Sequence, residues 1–429
     1  MASSRIRGAI RHARQRRSNP VLNLLKVIGG LALVAVVSVV SAAAYAALDV
    51  SRGFHASVNL DGETDVPELA GIGAIPGPLN LLLVGTDSRT GYQVDEGYEN
   101  GQGLNDVNML LHVSADHSRA YVISFPRDMM VPIPSCPSQD GQPDYYPAMS
   151  EQPLNNALEY GGLACVALTI QNLTGVPINY AGMISFQGVV NMSNAIGGVP
   201  VCIATDLNDP YTGVNLPAGE HVISGELALL MLRSRYGVGN GGDISRISSQ
   251  QAFLSSMVRT LQSADTLGNP TKVYALAKTV AENLTLSSTL NSIPKLLSVA
   301  ATVRSIKPAD VTFIQYPSVG YAPDPNKVAP DYTNGDAMIQ AVLADSTFEF
   351  TGQSQGATIE GSADPNATAD PNATADPNAT ADPNATPDPN ATADPNATAG
   401  PTPFVLSENA TGQTADQVGC TIGRAGEGQ

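Results

Sequence analysis

Short apolar runs alternate along the chain with amphipathic stretches. The run Leu-Asn-Leu-Leu-Leu-Val at 79–84 ends at Gly85 and predicts a buried strand. Further strands are predicted at 108–113, 120–125 and 311–316. Helices are predicted at 225–232, with Ser224 as N-cap, and at 244–262, 271–283 and 290–303. Strands that alternate with helices predict one sizeable α/β domain at 78–345.

The longest apolar stretch lies near the amino terminus, where residues 27–48 carry no charge. A helix of this length, at about 1.5 Å per residue, spans the roughly 30 Å hydrocarbon core of a membrane. Residues 1–26 are basic and Asp49 follows the stretch at once, so we expect a cytoplasmic amino terminus and an exterior domain. The alternative is a cleavable signal peptide, but signal-peptide cores usually have only about 7–15 residues.

Other segments lack the pattern of a folded core. Residues 49–77 become rich in Gly and Pro and predict a linker, and 346–362 predict a second one. Residues 363–398 are six copies of the hexamer (Ala/Pro)-Asp-Pro-Asn-Ala-Thr. No apolar core can form from this unit, so we expect a disordered or polyproline-like spacer. The tail at 399–429 contains Cys420.

Charge and cysteine content narrow the function further. The chain has 22 Lys+Arg against 39 Asp+Glu, a formal charge of −17, which argues against nucleic-acid binding because phosphate neutralisation needs a basic surface. The four cysteines all follow the apolar stretch, and an exterior location favours disulfides over buried free thiols. Of the three possible connectivities, closeness in sequence favours Cys136–Cys165 and so leaves Cys202–Cys420.

Five arginines of the exterior domain lie at the ends of predicted elements. They are Arg89, Arg127, Arg233, Arg235 and Arg246. Each alone is most simply a surface residue, since Arg is usually exposed. However, ligands of open α/β sheets bind at strand ends, and Arg recognises phosphate oxygens in a bidentate manner. The group therefore predicts a site for a pyrophosphate.

Carboxylates accompany these arginines. Asp87 ends one predicted strand and Asp106 precedes the next, and such a pair beside phosphate oxygens typically holds Mg²⁺ or Mn²⁺. A turn residue and a polar residue at a strand entry are the alternatives. Asp243, Arg246 and Gln250 share one helix face, or else form a cap and a surface pair. Covalent Ser-His catalysis has little support, because the five histidines of the sequence form no ligand-like spacing.

Five segments resemble the LytR–CpsA–Psr cell-wall ligases in order and spacing, over about residues 78–262. They are Asn80–Arg89, the strand from Asp106, the Pro126-Arg127-Asp128 motif, the segment from Gly219 to Arg233-Ser234-Arg235, and Asp243–Gln251. Ser249 departs from the pattern, because some members have Arg there. Residues 105–108 also depart from the common Ser-Asp-Thr-Met, and the loop at 90–105 is long.

The resemblance implies an α/β fold with a central mixed sheet flanked by helices, an apolar pocket for a polyprenyl chain and a polar mouth for its pyrophosphate. It implies a membrane enzyme that transfers a glycopolymer phosphate from polyprenyl pyrophosphate to peptidoglycan. Asp87 and Asp106 would bind Mg²⁺, and the five arginines would bind the pyrophosphate. Gln250 would orient Arg246 or a phosphate oxygen, and Asp243 or Asp128 would be the general base. A polyprenyl pyrophosphate hydrolase and a non-catalytic envelope polysaccharide- or lipid-binding protein are the competing functions.

Overall fold

The computed structural model describes residues 20–60, 73–88, 103–138, 145–263, 266, 269–352, 354–359 and 403–424. The predicted spacer at 363–398, most of the predicted cytoplasmic segment 1–26 and residues 61–72 of the first predicted linker lie outside the described residues. The chain forms two compact units, Met1–Asp49 and Val50–Gln429.

Helix α1 (Pro20–Arg52) makes up the described part of the first unit and ends just inside the second. Its segment Ile28–Arg52 is long and apolar enough to cross a membrane. The helix extends beyond the predicted stretch 27–48 at both ends. The first turn of a helix tolerates proline, so the helix can begin at Pro20. The flanking residues 21–26 and 49–52 contain neither Pro nor Gly, and Gly53 follows the last helical residue.

The second unit alternates helices and strands, as the sequence pattern predicts. The other α-helices of the described residues are α2 (Ala157–Thr174), α3 (Phe186–Ile196), α4 (Gly225–Arg233), α5 (Asp243–Gln262), α6 (Pro270–Asn283), α7 (Ile293–Val303) and α8 (Tyr332–Leu343). Short 3₁₀ helices lie at Leu154–Asn156 and Pro308–Asp310. The strands up to the second helix are β1 (Leu79–Thr86), β2 (Asn105–Val113), β3 (Ala120–Phe125), β4 (Met130–Ile133), β5 (Cys136–Pro137), β6 (Tyr145–Tyr146) and β7 (Met149–Pro153). The following strands are β8 (Tyr180–Ile184), β9 (Val199–Thr205), β10 (Leu207–Asp209), β11 (Val214–Leu216), β12 (Gly219–Ile223), β13 (Leu284–Leu286) and β14 (Val311–Gln315). The last ones are β15 (Ser318–Gly320), β16 (Val328–Pro330), β17 (Phe348–Phe350), β18 (Ala357–Ile359), β19 (Phe404–Leu406), β20 (Gly412–Thr414) and β21 (Gly419–Ile422).

A central mixed sheet has the strand order β13-β8-β1-β2-β3-β14-β20. Strand β1 is parallel to β8, and β3 is parallel to β14. Because β2 is antiparallel to both β1 and β3, these four strands all run in the same direction. Their carboxyl ends therefore meet at one edge of the sheet, which is where open α/β sheets place ligands.

The two faces of the central sheet bury two apolar clusters, because successive side chains of a strand point to opposite faces. Leu82, Ile123 and Ile314 pack on the face covered by α2 and α8. Leu81 and Phe313 pack on the opposite face, with side chains of α5 and α7. Each fully buried apolar side chain stabilises the fold by roughly 1.5–3 kcal/mol relative to an exposed one.

The carboxyl-terminal segment, beyond the predicted domain 78–345, also contributes strands to the two sheets. Strand β20 pairs with β14 at the edge of the central sheet. Strand β21 lies between β9 and β18 in a second sheet of order β12-β9-β21-β18. The apolar patterns of these strands are too short to be recognised in the sequence.

Both disulfides have the expected pairing. Cys136 is bonded to Cys165, and Cys202 is bonded to Cys420. Cys202 and Cys420 are directly opposed on the parallel strands β9 and β21. The second disulfide therefore ties the end of the chain to a strand 218 residues earlier.

Two further details, one at the predicted linker and one at a predicted helix cap, differ from the expectation. Leu60 and Ile75, in the predicted linker 49–77, are buried in the apolar clusters of the second unit, so part of that segment belongs to the folded domain. Ser224 is the N-cap residue of α4, but its side chain makes no capping hydrogen bond. Instead, Ser193 Oγ accepts the backbone N–H of Gly225.

Candidate active site

A β-bulge places Asp106 at the edge where the parallel strands end. Gly85 pairs with Val107 and Thr86 pairs with Asn105, so Asp106 is the extra residue of β2. Bulges redirect side chains and are common beside functional sites. The backbone carbonyl of Asp106 accepts a hydrogen bond of 2.9 Å from Arg246 Nη2. The bulge thus brings the carboxylate of Asp106 and its backbone carbonyl, which holds Arg246, to the same point.

The residues around the bulge are fixed by a buried amide network. Asn105 Nδ2 donates to Asn108 Oδ1 at 2.7 Å and to the carbonyl of Leu154 at 3.1 Å. Asn105 Oδ1 in turn accepts the backbone N–H of Leu158. Asn105 and Asn108 are both almost fully buried. These departures from the usual motif therefore have a structural role next to the preserved Asp106.

Arg127 lies at the centre of the site, two residues after β3 ends. Its Nη1 donates to Asp106 Oδ1 at 2.7 Å. Its Nε lies 3.4 Å from Asp128 Oδ2 and 3.9 Å from Asp243 Oδ1. Burial alone would lower the pKa of Arg127, but the charge and hydrogen bond of Asp106, with further contributions from Asp128 and Asp243, raise it above its usual value. The guanidinium is thus firmly held as a cation.

Two further arginines flank Arg127. Arg235 Nη1 lies 3.6 Å from Asp128 Oδ2, and 35% of the Arg235 side chain is exposed. Arg246 Nη2 lies 2.7 Å from Asp243 Oδ1, and only 6% of the Arg246 side chain is exposed. We call this group the ion-pair cluster; it consists of Asp106, Asp128, Asp243, Arg127, Arg235 and Arg246. The cluster runs from a buried end at Arg246 to a more exposed end at Arg235.

Several buried atoms of the ion-pair cluster make no hydrogen bond within the described part of the chain. They are Nε of Arg127, Nε of Arg246, Oδ2 of Asp128 and both carboxylate oxygens of Asp243. The Arg246–Asp243 contact is short, but its angles do not meet hydrogen-bond geometry, so it is an ion pair only. Buried polar groups are nearly always paired, and exceptions point to a functional role.

Asp209 holds the loop that carries Arg235, a role that was not predicted from the sequence. Its Oδ2 accepts hydrogen bonds from the Ser234 hydroxyl and from the backbone N–H groups of Arg235 and Gly237. Burial alone would raise the pKa of Asp209, but hydrogen bonds from the Gly237 N–H and the Ser234 hydroxyl, and from the N–H groups of Tyr211 and Thr212, lower it. The Asp209-Pro210 turn sequence was the only available signal, and it does not reveal a partner 26 residues away.

The remaining site candidates have other surroundings. Arg233 ends α4, and its guanidinium lies 4.3 Å from the centroid of the Phe186 ring. Gln250 was expected to orient Arg246 or a phosphate oxygen, but its Nε2 donates to the Leu232 carbonyl at 2.9 Å. This bond fixes the end of α4 because Gln250 lies on the side of α5 that faces α4. Arg89 lies outside the described residues.

The expected metal ligands lie at the end of the β1–β2 pair. Asp87 Oδ1 accepts the backbone N–H of Leu104 at 2.6 Å, and Asp106 Oδ1 is paired with Arg127. In the described residues, no three His, Cys, Asp or Glu side chains are grouped to hold a metal. Mg²⁺ often uses only one or two carboxylates, with water and substrate phosphates completing its shell. The two aspartates fit such a shared ion and do not fit a metal centre made by protein alone.

An apolar surface lies beside the site edge. Leu83 is 38% exposed although β1 is in the middle of the central sheet. Its neighbour on β8 is Gly182, and the side chains of Leu83, Leu284 and Leu286 pack over this glycine. A separate cavity of about 660 Å³ lies over the second sheet, lined by residues such as Arg259 and Ser256, and it does not include the ion-pair cluster.

Comparisons with known proteins agree with this architecture. Residues 42–345 match the model of the LytR_cpsA_psr family. The cell wall biosynthesis protein LcpA of Corynebacterium glutamicum is 27% identical over 318 residues, which cover 68% of this chain and 60% of LcpA. The probable cell wall biosynthesis protein LcpB of the same bacterium is 29% identical over 48% of each chain.

A relative from another genus aligns over more of its own length. The polyisoprenyl-teichoic acid–peptidoglycan teichoic acid transferase TagT of Bacillus subtilis is 24% identical over 321 residues, which cover 72% of this chain and 92% of TagT. By contrast, the present chain spans only about three fifths of LcpA and about half of LcpB.

Proposed function

The chain belongs to the LytR–CpsA–Psr family, and from this membership we propose that it is a membrane-anchored phosphotransferase. The reaction attaches a cell-wall glycopolymer, carried on polyprenyl pyrophosphate, to peptidoglycan. TagT is named as a transferase of polyisoprenyl-linked teichoic acid to peptidoglycan, and LcpA as a cell wall biosynthesis protein. The net charge of −17 further supports a role that does not involve nucleic acid.

The observation that carries the proposal is the ion-pair cluster. Its three arginines converge on the carboxyl edge of the sheet, and Nε of Arg127 and Nε of Arg246 make no hydrogen bond to any described residue. Arginine is the side chain best suited to phosphate oxygens, and donors aimed at developing charge are the largest contributors to catalysis of this type. The cluster therefore fits a pyrophosphate better than it fits a structural ion-pair network.

The charge balance of the cluster supports a divalent cation. Three aspartates and three arginines compensate one another formally. A pyrophosphate would add uncompensated negative charge, so we propose that Asp87 and Asp106 hold Mg²⁺ or Mn²⁺ together with phosphate oxygens. The cation would neutralise charge on the bridging and leaving oxygens.

The proposed reaction is a displacement at the phosphorus that carries the sugar. The acceptor hydroxyl of peptidoglycan forms the new P–O bond while the bond to the polyprenyl phosphate breaks, and the leaving phosphate takes the electron pair. Arg127, Arg235 and Arg246 would stabilise the charge on the phosphate oxygens. The proton of the hydroxyl would pass to Asp128 or Asp243, whose buried oxygens make no hydrogen bond within the described residues.

A lipid-linked donor agrees with the rest of the chain. Helix α1 has the length and apolarity of a membrane anchor, and the basic segment before it supports a cytoplasmic amino terminus and an exterior catalytic domain. The apolar surface at Leu83 and Gly182 adjoins the phosphate-binding edge, which suits a polyprenyl chain that continues from the pyrophosphate.

The test uses the full-length protein in detergent or nanodiscs, with a polyprenyl-pyrophosphate-linked saccharide and purified peptidoglycan. We expect release of polyprenyl phosphate together with covalent transfer of the saccharide phosphate to peptidoglycan. Release at an equal rate without peptidoglycan would identify a hydrolase. The absence of release under all metal and acceptor conditions would favour a binding protein and contradict the transferase.

A further inference from the structure

Two exposed tyrosines form an aromatic corner beside the open end of the ion-pair cluster. Their ring centroids are 5.1 Å apart and the ring planes are inclined by 74°. Tyr211 is 81% exposed, and Tyr236 is 45% exposed. Tyr236 directly follows Arg235, so its Cα lies about 3.8 Å from that of a proposed phosphate ligand.

The aromatic corner is held rigidly by Asp209. The Oδ1 atom of this carboxylate accepts the backbone N–H of Tyr211 at 3.0 Å, and its Oδ2 atom accepts the N–H of Arg235 at 3.2 Å. Asp209 is only 1% exposed. One buried carboxylate therefore fixes both the hairpin tip that carries Tyr211 and the loop that carries Arg235 and Tyr236.

The close contact between these two segments needs a glycine. A Cβ atom on Gly237 would lie 2.7 Å from Asp209 Cβ and 2.9 Å from the Asn208 carbonyl oxygen. Such distances are too short for non-bonded atoms. The local sequence thus permits the hairpin and the arginine loop to pack directly against each other.

The carboxyl-terminal segment supplies the third side of the corner. The Arg424 guanidinium carbon lies 4.4 Å from the centroid of the Tyr236 ring. The backbone N–H of Arg424 also donates to the Gly237 carbonyl at 2.8 Å. One face of Tyr236 is therefore covered by a cation, which leaves the largely exposed Tyr211 ring as the open stacking surface.

We propose that Tyr211, supported by Tyr236 and Arg424, forms a saccharide-binding platform next to the phosphate-binding arginines. The sugar C–H groups would stack on the electron-rich face of Tyr211, and the Arg424 guanidinium would donate hydrogen bonds to hydroxyl or carboxylate oxygens. This proposal deepens the proposed function and rests on it for the identity of the ligand.

The surroundings favour a saccharide over an apolar ligand. The corner is open to solvent, and the charged side chain of Arg424 lies against Tyr236, so the corner offers an exposed aromatic ring beside a cation. In the proposed reaction, both the donor beyond its pyrophosphate and the acceptor beyond its hydroxyl are pyranose chains. Either chain would place a sugar ring adjacent to Arg235.

The test measures saccharide binding separately from turnover. Full-length protein with Tyr211→Ala is titrated calorimetrically with a soluble peptidoglycan tetrasaccharide, and with a disaccharide that carries a short-chain prenyl pyrophosphate. We expect at least a tenfold weaker affinity for one of the two probes. Tyr211→Phe retains the ring and should bind within about twofold of wild type. Tyr332→Ala is the matched control, since Tyr332 is a 51% exposed tyrosine on α8.

The outcomes distinguish a donor sugar from an acceptor sugar, and they distinguish failure of the platform from failure of the transferase proposal. Weaker binding of the tetrasaccharide alone assigns the platform to the acceptor, and weaker binding of the pyrophosphate probe alone assigns it to the donor. Unchanged affinity for both probes in Tyr211→Ala overturns the platform. If wild type binds through Tyr211 but transfers nothing, the platform stands and the transferase proposal fails.

Discussion

Arg127, two residues after the end of β3, forms an ion pair with Asp106, the bulged residue of β2, and the Nη1–Oδ1 distance is 2.7 Å. The antiparallel pairing of Asn108 with Phe125 brings both to one edge. The ion pair therefore links the arginine and metal-binding parts of the proposed site. Removal of Arg127 would take away the ion-pair partner of the partly buried Asp106, whereas removal of Asp106 would leave Arg127 with only its longer contacts to Asp128 and Asp243.

The first prediction concerns the carboxylates. We expect Asp87→Ala and Asp106→Ala each to abolish Mg²⁺-dependent release of polyprenyl phosphate while the far-ultraviolet circular dichroism spectrum stays native. Asp106 is 21% exposed at its side chain, so its loss affects the site more than the core. Asp116→Ala, on the loop between β2 and β3, is the control. Full activity in either site variant would remove that residue from metal binding.

The second prediction separates arginine geometry from charge. Lysine keeps the charge but cannot reproduce the planar fork. Arg127→Lys and Arg235→Lys should each lower turnover at least tenfold, equivalent to about 1.4 kcal/mol of transition-state stabilisation. A steady-state assay of polyprenyl phosphate release would measure this effect.

Controls for the arginine series should lie outside the cluster. Arg119→Lys and Arg304→Lys are suitable and should retain near-wild-type turnover. Arg259→Lys is not a suitable control, because Arg259 Nη1 donates to the carbonyls of Ala415 and Gln417. If Arg127→Lys and Arg304→Lys behaved alike, the phosphate-binding role of Arg127 would be refuted.

The main strands and helices were predictable where a long apolar pattern specified them. The strand at 120–125 has the predicted bounds, and α5 begins only one residue before the predicted start at 244. Helix α2 escaped prediction because Gly161 and Gly162 interrupt it with non-helical backbone angles. Its apolar residues also show little preference for one face, since the helix is buried on several sides.

The site was predictable in composition but not in geometry. Residue type and motif order pointed to Arg127, Arg235 and Arg246, which the fold brings together. No sequence pattern could reveal the bulge at Asp106, because it depends on the pairing register with β1. The role of Asp209 was equally hidden, since the five hydrogen bonds that its carboxylate accepts from the described residues come from its own turn and from a loop distant in sequence.

The third prediction concerns the apolar surface at Leu83. We expect Leu83→Gln to raise the KM for a long-chain polyprenyl donor at least fivefold and to have little effect on a short-chain donor. The substitution should not unfold the protein, because Leu83 is already 38% exposed. Leu343→Gln, at a 45% exposed leucine of α8, is the matched control. Equal KM changes for both donor lengths would contradict a polyprenyl-binding role.

The fourth prediction concerns the disulfide at the end of the chain. Strand β21 supports the arginine loop through the Gly239 N–H, which donates to the Ile422 carbonyl at 2.9 Å. We expect the double variant Cys202→Ser/Cys420→Ser to increase amide exchange in 235–242 and to lower turnover. In the chain-entropy model, a loop of 218 residues contributes about 5 kcal/mol of stabilisation.

The other disulfide provides the control. Cys136→Ser/Cys165→Ser removes a loop of 29 residues, worth about 4 kcal/mol in the same model. It should lower stability and leave exchange in 235–242 unchanged under conditions where both variants are folded. Identical exchange in 235–242 for both double variants would show that the carboxyl-terminal strand does not support the loop.

The last prediction concerns acid stability and rests on His112. Its Nδ1 lies 2.6 Å from Asn80 Oδ1, while Asn80 Nδ2 donates to the Pro177 carbonyl, so Nδ1 carries the proton of a neutral ring. His112 is 4% exposed, and burial lowers its pKa from 6.5 to about 4. Between these two values the unfolded chain binds more protons than the folded chain, so stability falls as the pH decreases.

The expected size follows from that pKa difference. Between pH 7 and pH 5, protonation of the unfolded histidine should lower the free energy of unfolding by about 2 kcal/mol. We expect His112→Gln to be less stable at pH 7 but to lose most of this pH dependence, as measured by urea unfolding at both pH values. His221→Gln is the control, because the hydrogen bond between His221 Nε2 and the Pro217 carbonyl is exposed to solvent. This variant should keep the wild-type dependence of the unfolding free energy on pH. A slope unchanged by His112→Gln would mean that other groups control acid unfolding, and the buried neutral histidine would then have no measurable part in it.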